Sequence, residues 1–246
     1  SKEKNLEELK MMVEEHGADL GFAFDGDGDR VGMITDDGAS VLADHLIMLL
    51  TKNYLKKRAG PIIFDVKCSS QLPTLINQLG GEAIMAKTGH FNIKKAIKEH
   101  NAVLGGEMSG HIFINHEWYG FDDAIFTAAI LAQIISDDAL SSSEVINKFP
   151  KTFSTTELNL EVTDDEKFDM IEEFKSKMSF PNSELNTIDG VRVTIGSAWG
   201  LVRASNTSPK LVFRFEAETE EELQGIRKLF LDNLEKIFPD LPLNFS

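Results

Sequence analysis

The sequence has a single cysteine and no long hydrophobic run. Because Cys68 is the only cysteine among the 246 residues, no disulfide can form within the chain, which fits a reducing compartment. The N-terminus does not have the pattern of a secretory signal peptide. The longest apolar stretch, 124–135, is too short to span a bilayer and predicts a buried helix. We therefore expect a cytoplasmic protein with no membrane association.

Positive charge is also scarce. The chain has 25 Lys and Arg against 40 Asp and Glu, which gives a net charge of −15. This balance argues against nucleic acid and anionic membranes as partners. It does not exclude a small anionic ligand, because charges beyond a Debye length of about 8 Å are largely screened. A local cluster of Arg and Lys therefore determines whether a phosphate can bind.

An acidic, glycine-spaced loop runs from Asp25 to Arg30 in the order Asp-Gly-Asp-Gly-Asp-Arg. Two like charges ~4 Å apart repel by about 4 kcal/mol at an effective dielectric of ~20. Arg30 offsets part of this repulsion, and a bound cation is the simplest remedy for the rest. The glycines let the backbone curl so that the three carboxylates converge. Ligands that are all oxygen favour Mg²⁺, Mn²⁺ or Ca²⁺ over Zn²⁺.

Two other interpretations of this loop compete. One is a solvated acidic turn, which the loop alone leaves open. The other is an EF-hand, which needs Gly at its sixth position and Glu at its twelfth. Counted from Asp25, these positions hold Arg30 and Asp36. The flanks, 20–24 and 31–35, also predict strands rather than helices, so an EF-hand is disfavoured.

Strand and helix patterns alternate in the N-terminal part and predict an α/β arrangement. Strands are expected at 20–24, 31–35, 62–66, 83–86, 103–104 and 112–114, and helices at 6–15, 43–56, 71–79, 93–99 and 124–135. Ser141 and Glu144 match a capping box that opens one more helix. After a junction near 150–154, an α+β domain with an antiparallel sheet is predicted, with strands at 157–162, 191–195, 199–203 and 211–216 and helices at 164–177 and 220–237.

Three further groups of polar residues could carry chemistry. The segment 203–208 gathers Arg203 and several hydroxyls, which suits a phosphate or a plain polar hairpin turn. Glu107, Ser109 and His111 alternate, so in an extended segment they face one side and suit a polyhydroxylated ligand such as a sugar. A glycine turn with one satisfied histidine is the alternative.

Lys67 and His90 each follow a predicted strand. Ligands gather at the carboxyl ends of strands in open α/β sheets, so these two side chains could share a cleft and act as general acid or base. A solvated lysine and a surface histidine are the alternatives.

Taken together, five motifs in order give the chain a resemblance to the α-D-phosphohexomutases, closest to the bacterial phosphomannomutase/phosphoglucomutase group. The motifs are 25–30, 65–68, 88–90, 106–111 and 199–207. The resemblance implies a phosphohexomutase-type α/β domain with a mixed sheet, followed by an α+β domain with an antiparallel sheet. It implies an incomplete metal-binding domain 2 at 1–59, a sugar-binding domain 3 at 60–150 and a phosphate-binding domain 4 at 151–246.

The resemblance also implies a reaction. Phosphate moves between C1 and C6 of a hexose, mannose or glucose, through an active-site phosphoserine and a hexose 1,6-bisphosphate, which also serves as activator. Mg²⁺ would be held by Asp25, Asp27 and Asp29. The implied catalytic residues are Arg30, Lys67 and His90, and the implied substrate-binding residues are Glu107, Ser109, His111, Arg203, Ser205, Asn206 and Thr207. Met108 resembles the mannose and glucose enzymes, since the glucosamine enzymes tend to carry Gln there.

One departure qualifies this expectation. The family's phosphoserine lies in an N-terminal domain, in a motif like Thr-Ala-Ser-His-Asn-Pro, and no such sequence occurs in these 246 residues. We therefore expect a chain that begins within domain 2, lacks the phosphoserine domain and is inactive alone. A non-catalytic phosphosugar- or metal-binding module is the alternative. Residues 1–59 are expected to be poorly ordered or to use a neighbour's surface, because a partial sheet leaves an unpaired edge.

Overall fold

The computed structural model describes residues 3–243, which form two compact units that divide between Pro150 and Lys151. After a short 3-10 helix (Glu3–Asn5), the helices of the first unit are α1 (Glu7–His16), α2 (Ala43–Lys57), α3 (Gln71–Gln78), α4 (His90–His100), α5 (Ala124–Ser136) and α6 (Ser142–Ile146). Its strands are β1 (Leu20–Phe24), β2 (Val31–Thr35), β3 (Ser40–Val41), β4 (Pro61–Asp65), β5 (Glu82–Ala86), β6 (Leu104–Gly106) and β7 (Ile112–Ile114).

These strands form two sheets. An antiparallel sheet has the order β1-β2-β3, and a mixed sheet has the order β5-β4-β6-β7, in which only the β6–β7 pair is antiparallel. The predicted mixed α/β architecture is confirmed. Because β4, β5 and β6 are parallel, the loops that follow them emerge at one edge of the sheet. These loops begin with the residues after Asp65, Ala86 and Gly106, and the predicted residues Lys67, His90 and Glu107 lie on or directly after them.

The largest of three hydrophobic clusters in the described part of the first unit forms its main core. It runs from Val31 and Met33 in β2, through the buried face of α2, to Phe149 near the end of the unit. Within the described strands, β1 pairs with β2 alone and is therefore an edge strand. The division into 1–59 and 60–150, and the expected weak order of residues 1–59, stay predictions.

Ser142 ties helix α6 to the β1–β2–β3 sheet. Its buried hydroxyl donates to the Asp19 carbonyl at 2.5 Å and accepts from the Asp36 amide at 2.9 Å. The predicted capping box is confirmed, since Ser141 accepts from the Glu144 amide and the Glu144 side chain accepts from the Ser141 amide. The helix start is therefore fixed locally by its cap and at longer range by Ser142.

We expect Ser142→Ala to lower the free energy of unfolding by about 1–3 kcal/mol, because it removes two hydrogen bonds of a buried hydroxyl, to the Asp19 carbonyl and from the Asp36 amide. Urea unfolding followed by circular dichroism measures this change. Ser136→Ala is the matched control, since that exposed hydroxyl bonds only a carbonyl of its own helix at 2.9 Å. Equal losses for the two variants would contradict the assigned role of Ser142.

The second unit contains one antiparallel sheet. Its strands are β8 (Phe153–Ser154), β9 (Leu158–Glu161), β10 (Glu184–Asn186), β11 (Val191–Ile195), β12 (Ala198–Ala204) and β13 (Lys210–Ala217), and its helices are α7 (Lys167–Lys177) and α8 (Glu220–Ile237). The order is β10-β11-β12-β13-β8, and β9 also pairs with β13. The predicted C-terminal antiparallel sheet is thereby confirmed.

The two faces of this sheet differ in chemistry. Val202 and Phe213 join a core with aromatic residues of α7 and α8, among them Phe230. On strand β12, Trp199 alternates with this apolar set and therefore lies on the other face, where Arg192 stacks on its ring at 3.6 Å. Arg203 belongs to the same alternation as Trp199, which leaves its guanidinium on the polar face at the end of β12.

Sequence patterns missed the short strands β3, β8 and β10 and placed several element ends one to three residues away from the observed bounds. β3 and β8 have two residues and β10 has three, which is too few for alternation alone to mark a strand. Within residues 3–243, no helix combines the length and apolar character that a membrane crossing requires.

Candidate active site

The acidic loop closes the hairpin between β1 and β2. Asp25 holds it, because Oδ1 accepts from the amides of Asp29 and Arg30 at 3.2 and 3.1 Å, and Oδ2 lies 2.6 Å from Arg30 Nε. Gly28 has φ +74°, a left-handed conformation that glycine tolerates. Although partial burial acts in the opposite direction, the hydrogen bonds from Arg30 lower the pKa of Asp25.

The three carboxylates of the loop converge. Asp25, Asp27 and Asp29 each offer one oxygen, and these atoms lie within 4.8 Å of one another. Burial raises the pKa of Asp29, His111 acts against this, and the charges of Asp25 and Asp27 add to the increase. The buried Oδ1 of Asp29 has no hydrogen-bond partner among the described residues. A hard divalent cation fits this donor set, whereas the flanking strands exclude an EF-hand.

A carboxylate that sequence reasoning missed joins this loop to two of the predicted residues. Asp122 Oδ2 lies 3.2 Å from His111 Nδ1 and 4.0 Å from His90 Nδ1, and Lys94 Nζ donates to Asp122 Oδ1 at 3.0 Å. His111 Nδ1 also lies 3.5 Å from Asp29 Oδ2. Burial lowers the pKa of His111, while Asp29 and Asp122 act in the opposite direction.

Backbone contacts explain why the acidic loop and His111 meet. Arg30 and His111 form an isolated antiparallel bridge, and the Val31 amide donates to the Gly110 carbonyl at 3.2 Å. The hairpin that carries the aspartates is therefore held against the turn between β6 and β7. The sequence gives little sign of a role for Asp122. Asp122 precedes Asp123, which caps α5 by accepting from the Phe126 amide at 2.9 Å, and a pair of acidic residues at a helix start is expected for capping alone.

The loops after β4, β5 and β6 converge on the fully buried Asp65. Its oxygens accept from the Thr88 hydroxyl at 3.0 Å, the Met108 amide at 3.2 Å and the Cys68 thiol at 3.2 Å. Lys67 Nζ lies 4.0 Å from the same carboxylate. Asp65 therefore brings the segments of Lys67, His90 and Glu107 to one place, as their positions after parallel strands predict.

The segment that begins at Glu107 is a tight turn, so the shared face that Glu107, Ser109 and His111 would have in an extended segment does not form. The Gly110 amide donates to the Glu107 carbonyl at 3.0 Å, and the positive φ of +100° at Gly110 reverses the chain. Glu107 Oε2 accepts from the Gly89 amide at 3.0 Å. The Ser109 hydroxyl is buried without a partner among the described residues.

Glu107 and His90 have different surroundings. Burial and the nearby charge of Asp65 raise the pKa of Glu107 to about 7. His90 begins helix α4, three residues earlier than the predicted helix start, and 57% of its side chain is exposed. The fold therefore controls the protonation of Glu107 through burial and the charge of Asp65.

The second unit carries its own polar cluster at the turn between β12 and β13. Arg203 Nε lies 2.9 Å from Asp189 Oδ2, and the buried Nη2 of Arg203 has no partner among the described residues. The turn is closed by the Ser205 amide, which donates to the Lys210 carbonyl at 3.0 Å. Asn206 and Thr207 are exposed on this turn. A guanidinium with free N–H groups beside exposed amide and hydroxyl groups can bind a phosphate.

Comparison with known families assigns the chain. The models of the phosphoglucomutase/phosphomannomutase family match it in succession: alpha/beta/alpha domain II at residues 1–38, alpha/beta/alpha domain III at 43–153 and the C-terminal domain at 157–233. The chain belongs to the phosphoglucomutase/phosphomannomutase family. The predicted resemblance is confirmed.

Individual members of the phosphoglucomutase/phosphomannomutase family agree with this assignment. A phosphomannomutase/phosphoglucomutase of Pseudomonas putida is 50% identical over 99% of this chain and 53% of its own length. A phosphoglucomutase of Neisseria meningitidis serogroup A is 43% identical over 94% of this chain and 50% of its own length. The chain thus spans about half the length of the curated relatives it matches.

A solved structure of a family member from Burkholderia thailandensis superposes with a TM-score of 0.91 at 38% identity. It covers 97% of this chain and 51% of the crystallised chain. The fold of this family is therefore shared over nearly the whole of the present chain.

Proposed function

We propose that this chain supplies the metal-, sugar- and phosphate-binding parts of a phosphohexomutase that interconverts hexose 1-phosphate and hexose 6-phosphate, with mannose or glucose as the sugar. The convergence of three carboxylate oxygens within 4.8 Å in the loop of Asp25, Asp27 and Asp29 carries the proposal. The family membership supports it. The single cysteine, Cys68, is buried and forms no disulfide, which supports a reducing cytoplasmic location.

The acidic loop would hold Mg²⁺ through Asp25, Asp27 and Asp29. When bound, Mg²⁺ supplies charge neutralisation for a transferring phosphoryl group. The Nε of Arg30 donates to Asp25 Oδ2 at 2.6 Å, which holds the guanidinium beside the three carboxylates. Its positive charge there stabilises negative charge that develops on phosphate oxygens.

The remaining residues of the first unit would act on the sugar. Lys67 and His90 are placed to exchange a proton with a sugar hydroxyl. Glu107, Ser109 and His111 offer groups that can accept or donate hydrogen bonds to neighbouring hydroxyls. The Ser109 hydroxyl and Glu107 Oε1 have no partner among residues 3–243, which supports a ligand at this position.

In the second unit, Arg203, Ser205, Asn206 and Thr207 would bind the phosphate that does not react. The orientation of the guanidinium is set by Asp189, which occupies Nε at 2.9 Å and leaves Nη2 available. A planar fork of N–H groups matches two oxygens of a phosphate better than an ammonium does.

Turnover is a separate question from binding. These 246 residues contain no sequence like Thr-Ala-Ser-His-Asn-Pro, and a second candidate, a binding module without catalysis, would keep the same binding loops. We expect the 246-residue polypeptide to bind glucose 1-phosphate or mannose 1-phosphate with Mg²⁺ and to show no turnover.

Calorimetry and a coupled mutase assay with hexose 1,6-bisphosphate test both statements. The intact Pseudomonas putida relative is the positive control for turnover. Binding of neither sugar phosphate would refute the proposed function. Turnover by the 246-residue polypeptide would refute the need for a separate phosphoserine.

For the metal site, we expect Asp27→Asn to weaken Mg²⁺ binding about tenfold or more, since it removes one of three anionic ligands and about 1.4 kcal/mol corresponds to each factor of ten. Asp27 is exposed, so its replacement leaves the core intact. Titration calorimetry with MgCl₂ gives the affinity. Asp19→Asn removes an exposed charge just before β1 and should change the affinity little. Equal weakening in both variants would indicate a general charge effect and not a site.

A further inference from the structure

Glu107 is a buried acid with an incomplete set of hydrogen bonds. It is 2% exposed, and Oε2 accepts one backbone hydrogen bond, from Gly89, at 3.0 Å. Its other oxygen, Oε1, is buried and has no partner among the described residues. A buried carboxylate in its charged form normally collects several donors, because the loss of hydration must be replaced.

A second carboxylate close by has the donors that Glu107 lacks. Asp65, also fully buried, accepts from an amide, a hydroxyl and a thiol at 3.0 to 3.2 Å. Met108 connects the two acids, since its amide bonds Asp65 and it follows Glu107 in the chain. When two buried carboxylates interact, the one with fewer donors keeps its proton.

The other charged groups around Glu107 do not reverse this division. Lys67, from the loop after β4, favours ionisation, but its Nζ lies 4.0 Å from Asp65, the acid that already has three donors. Asp122, which precedes α5, opposes ionisation. His90 at the start of α4 and His111 at the start of β7 both face Asp122.

We propose that Glu107 binds the sugar as a neutral acid and that its Oε1–H donates a hydrogen bond to an uncharged oxygen of the sugar. The proposal deepens the proposed function and rests on it for the identity of the ligand. A neutral acid offers a hydrogen-bond donor without a charge. Such a donor suits the hydroxyl or ring oxygen of a hexose phosphate, and it has no charge with which to attract an ammonium group of a ligand. Burial, which raises the pKa of Glu107 to about 7, agrees with this state.

The protonation state can be measured without any sugar. Infrared spectra of the full 246-residue chain should show a C=O stretch of a protonated carboxyl that disappears between about pH 6 and pH 9, with a midpoint near the pKa of about 7. The band should be absent from Glu107→Gln. If the spectra of the two proteins titrate identically over this range, Glu107 is charged and the proposal is overturned.

Ligand binding tests the role of the proton. Gln places an oxygen where Oε2 accepts from Gly89 and an N–H₂ where Oε1–H would donate, so Glu107→Gln reproduces the neutral acid at every pH. Glucose 1-phosphate with Mg²⁺ is the probe. If only the protonated form binds, the affinity of the wild type should fall about tenfold or more between pH 7 and pH 9. The affinity of Glu107→Gln over the same range gives the part of any fall that has other causes.

Matched variants separate the possible outcomes. Glu107→Ala should bind weakly throughout, and Asp65→Asn should not imitate Glu107→Gln, since an amide cannot accept three hydrogen bonds as a carboxylate does. Equal pH profiles for the wild type and Glu107→Gln, or a folded Glu107→Gln that fails to bind at any pH while the wild type binds, would overturn the proposal. If the wild type itself does not bind glucose 1-phosphate, the proposed function fails, and the infrared titration still decides the protonation state.

Discussion

Replacing Gly190 with alanine should destabilise the second unit by about 3 kcal/mol or more, because left-handed strain of about 1–2 kcal/mol adds to overpacking of about 1–3 kcal/mol. Gly190 has φ +79°, and an added Cβ would lie 2.2 Å from the Val202 carbonyl oxygen and 2.7 Å from the Arg203 Cα. Both atoms belong to the backbone of β12, so no side chain can move aside. The start of the β11–β12 pairing, Val191 with Val202, would have to open.

Gly196 provides the matched control. It also has a positive φ, +60°, but an added Cβ there meets nothing within 4 Å. Gly196→Ala should therefore cost only the conformational strain, about 1–2 kcal/mol. Urea unfolding of both variants, followed by Trp fluorescence and circular dichroism, compares the two. Similar decreases in the free energy of unfolding for the two variants would mean that the close contact with β12 adds nothing to the cost of the backbone conformation at Gly190.

Glu107→Gln should make the first unit more stable at about pH 8 and leave it unchanged near pH 4. The pKa of Glu107 is raised from 4.5 to about 7 in the folded state. As pH rises between these values, the unfolded chain releases the proton and the folded chain keeps it, so the free energy of unfolding falls. At about 1.36 kcal/mol per pKa unit, the difference reaches about 3 kcal/mol above pH 7. Gln removes this loss.

Urea unfolding of the wild type and Glu107→Gln at a series of pH values measures this difference. Glu82→Gln is the control, because Glu82 is exposed at the start of β5 and should show the same small difference at every pH. A constant difference between the wild type and Glu107→Gln from pH 4 to 8 would mean that Glu107 ionises normally in the folded chain.

Much of the fold could be predicted from local sequence. The strands Leu20–Phe24, Val31–Thr35 and Val191–Ile195 and the helix Glu220–Ile237 have the predicted bounds, because glycines, polar turns and a capping Thr219 mark their ends. The short strands could not be found in this way. Their pairing depends on a neighbour elsewhere in the chain, as Phe153–Ser154 depends on β13.

The candidate site was predictable as a set of loops but not as a set of contacts. The positions of Lys67, His90 and Glu107 after parallel strands are readable from the strand order. The role of Asp65 was not predictable, because its three donors come from three different loops, the most distant of them 43 residues away from Asp65 in the sequence. Asp122 was missed for the same reason, and the turn at Glu107 depends on the glycine conformation at Gly110.

The strand order of the two sheets has a consequence for how the chain folds. In the second unit, β10, β11, β12 and β13 pair in chain order, but β13 also pairs with β9 from much earlier in the chain, for example Leu211 with Leu160. In the first unit, β4 pairs with β6, for example Ile62 with Leu104, and the whole segment that contains β5 must close before this pairing forms. Rates fall as contacts become more distant in sequence, so we expect the pairing of β4 with β6 and the pairing of β9 with β13 to form late and to set the time that each unit needs to reach its native state.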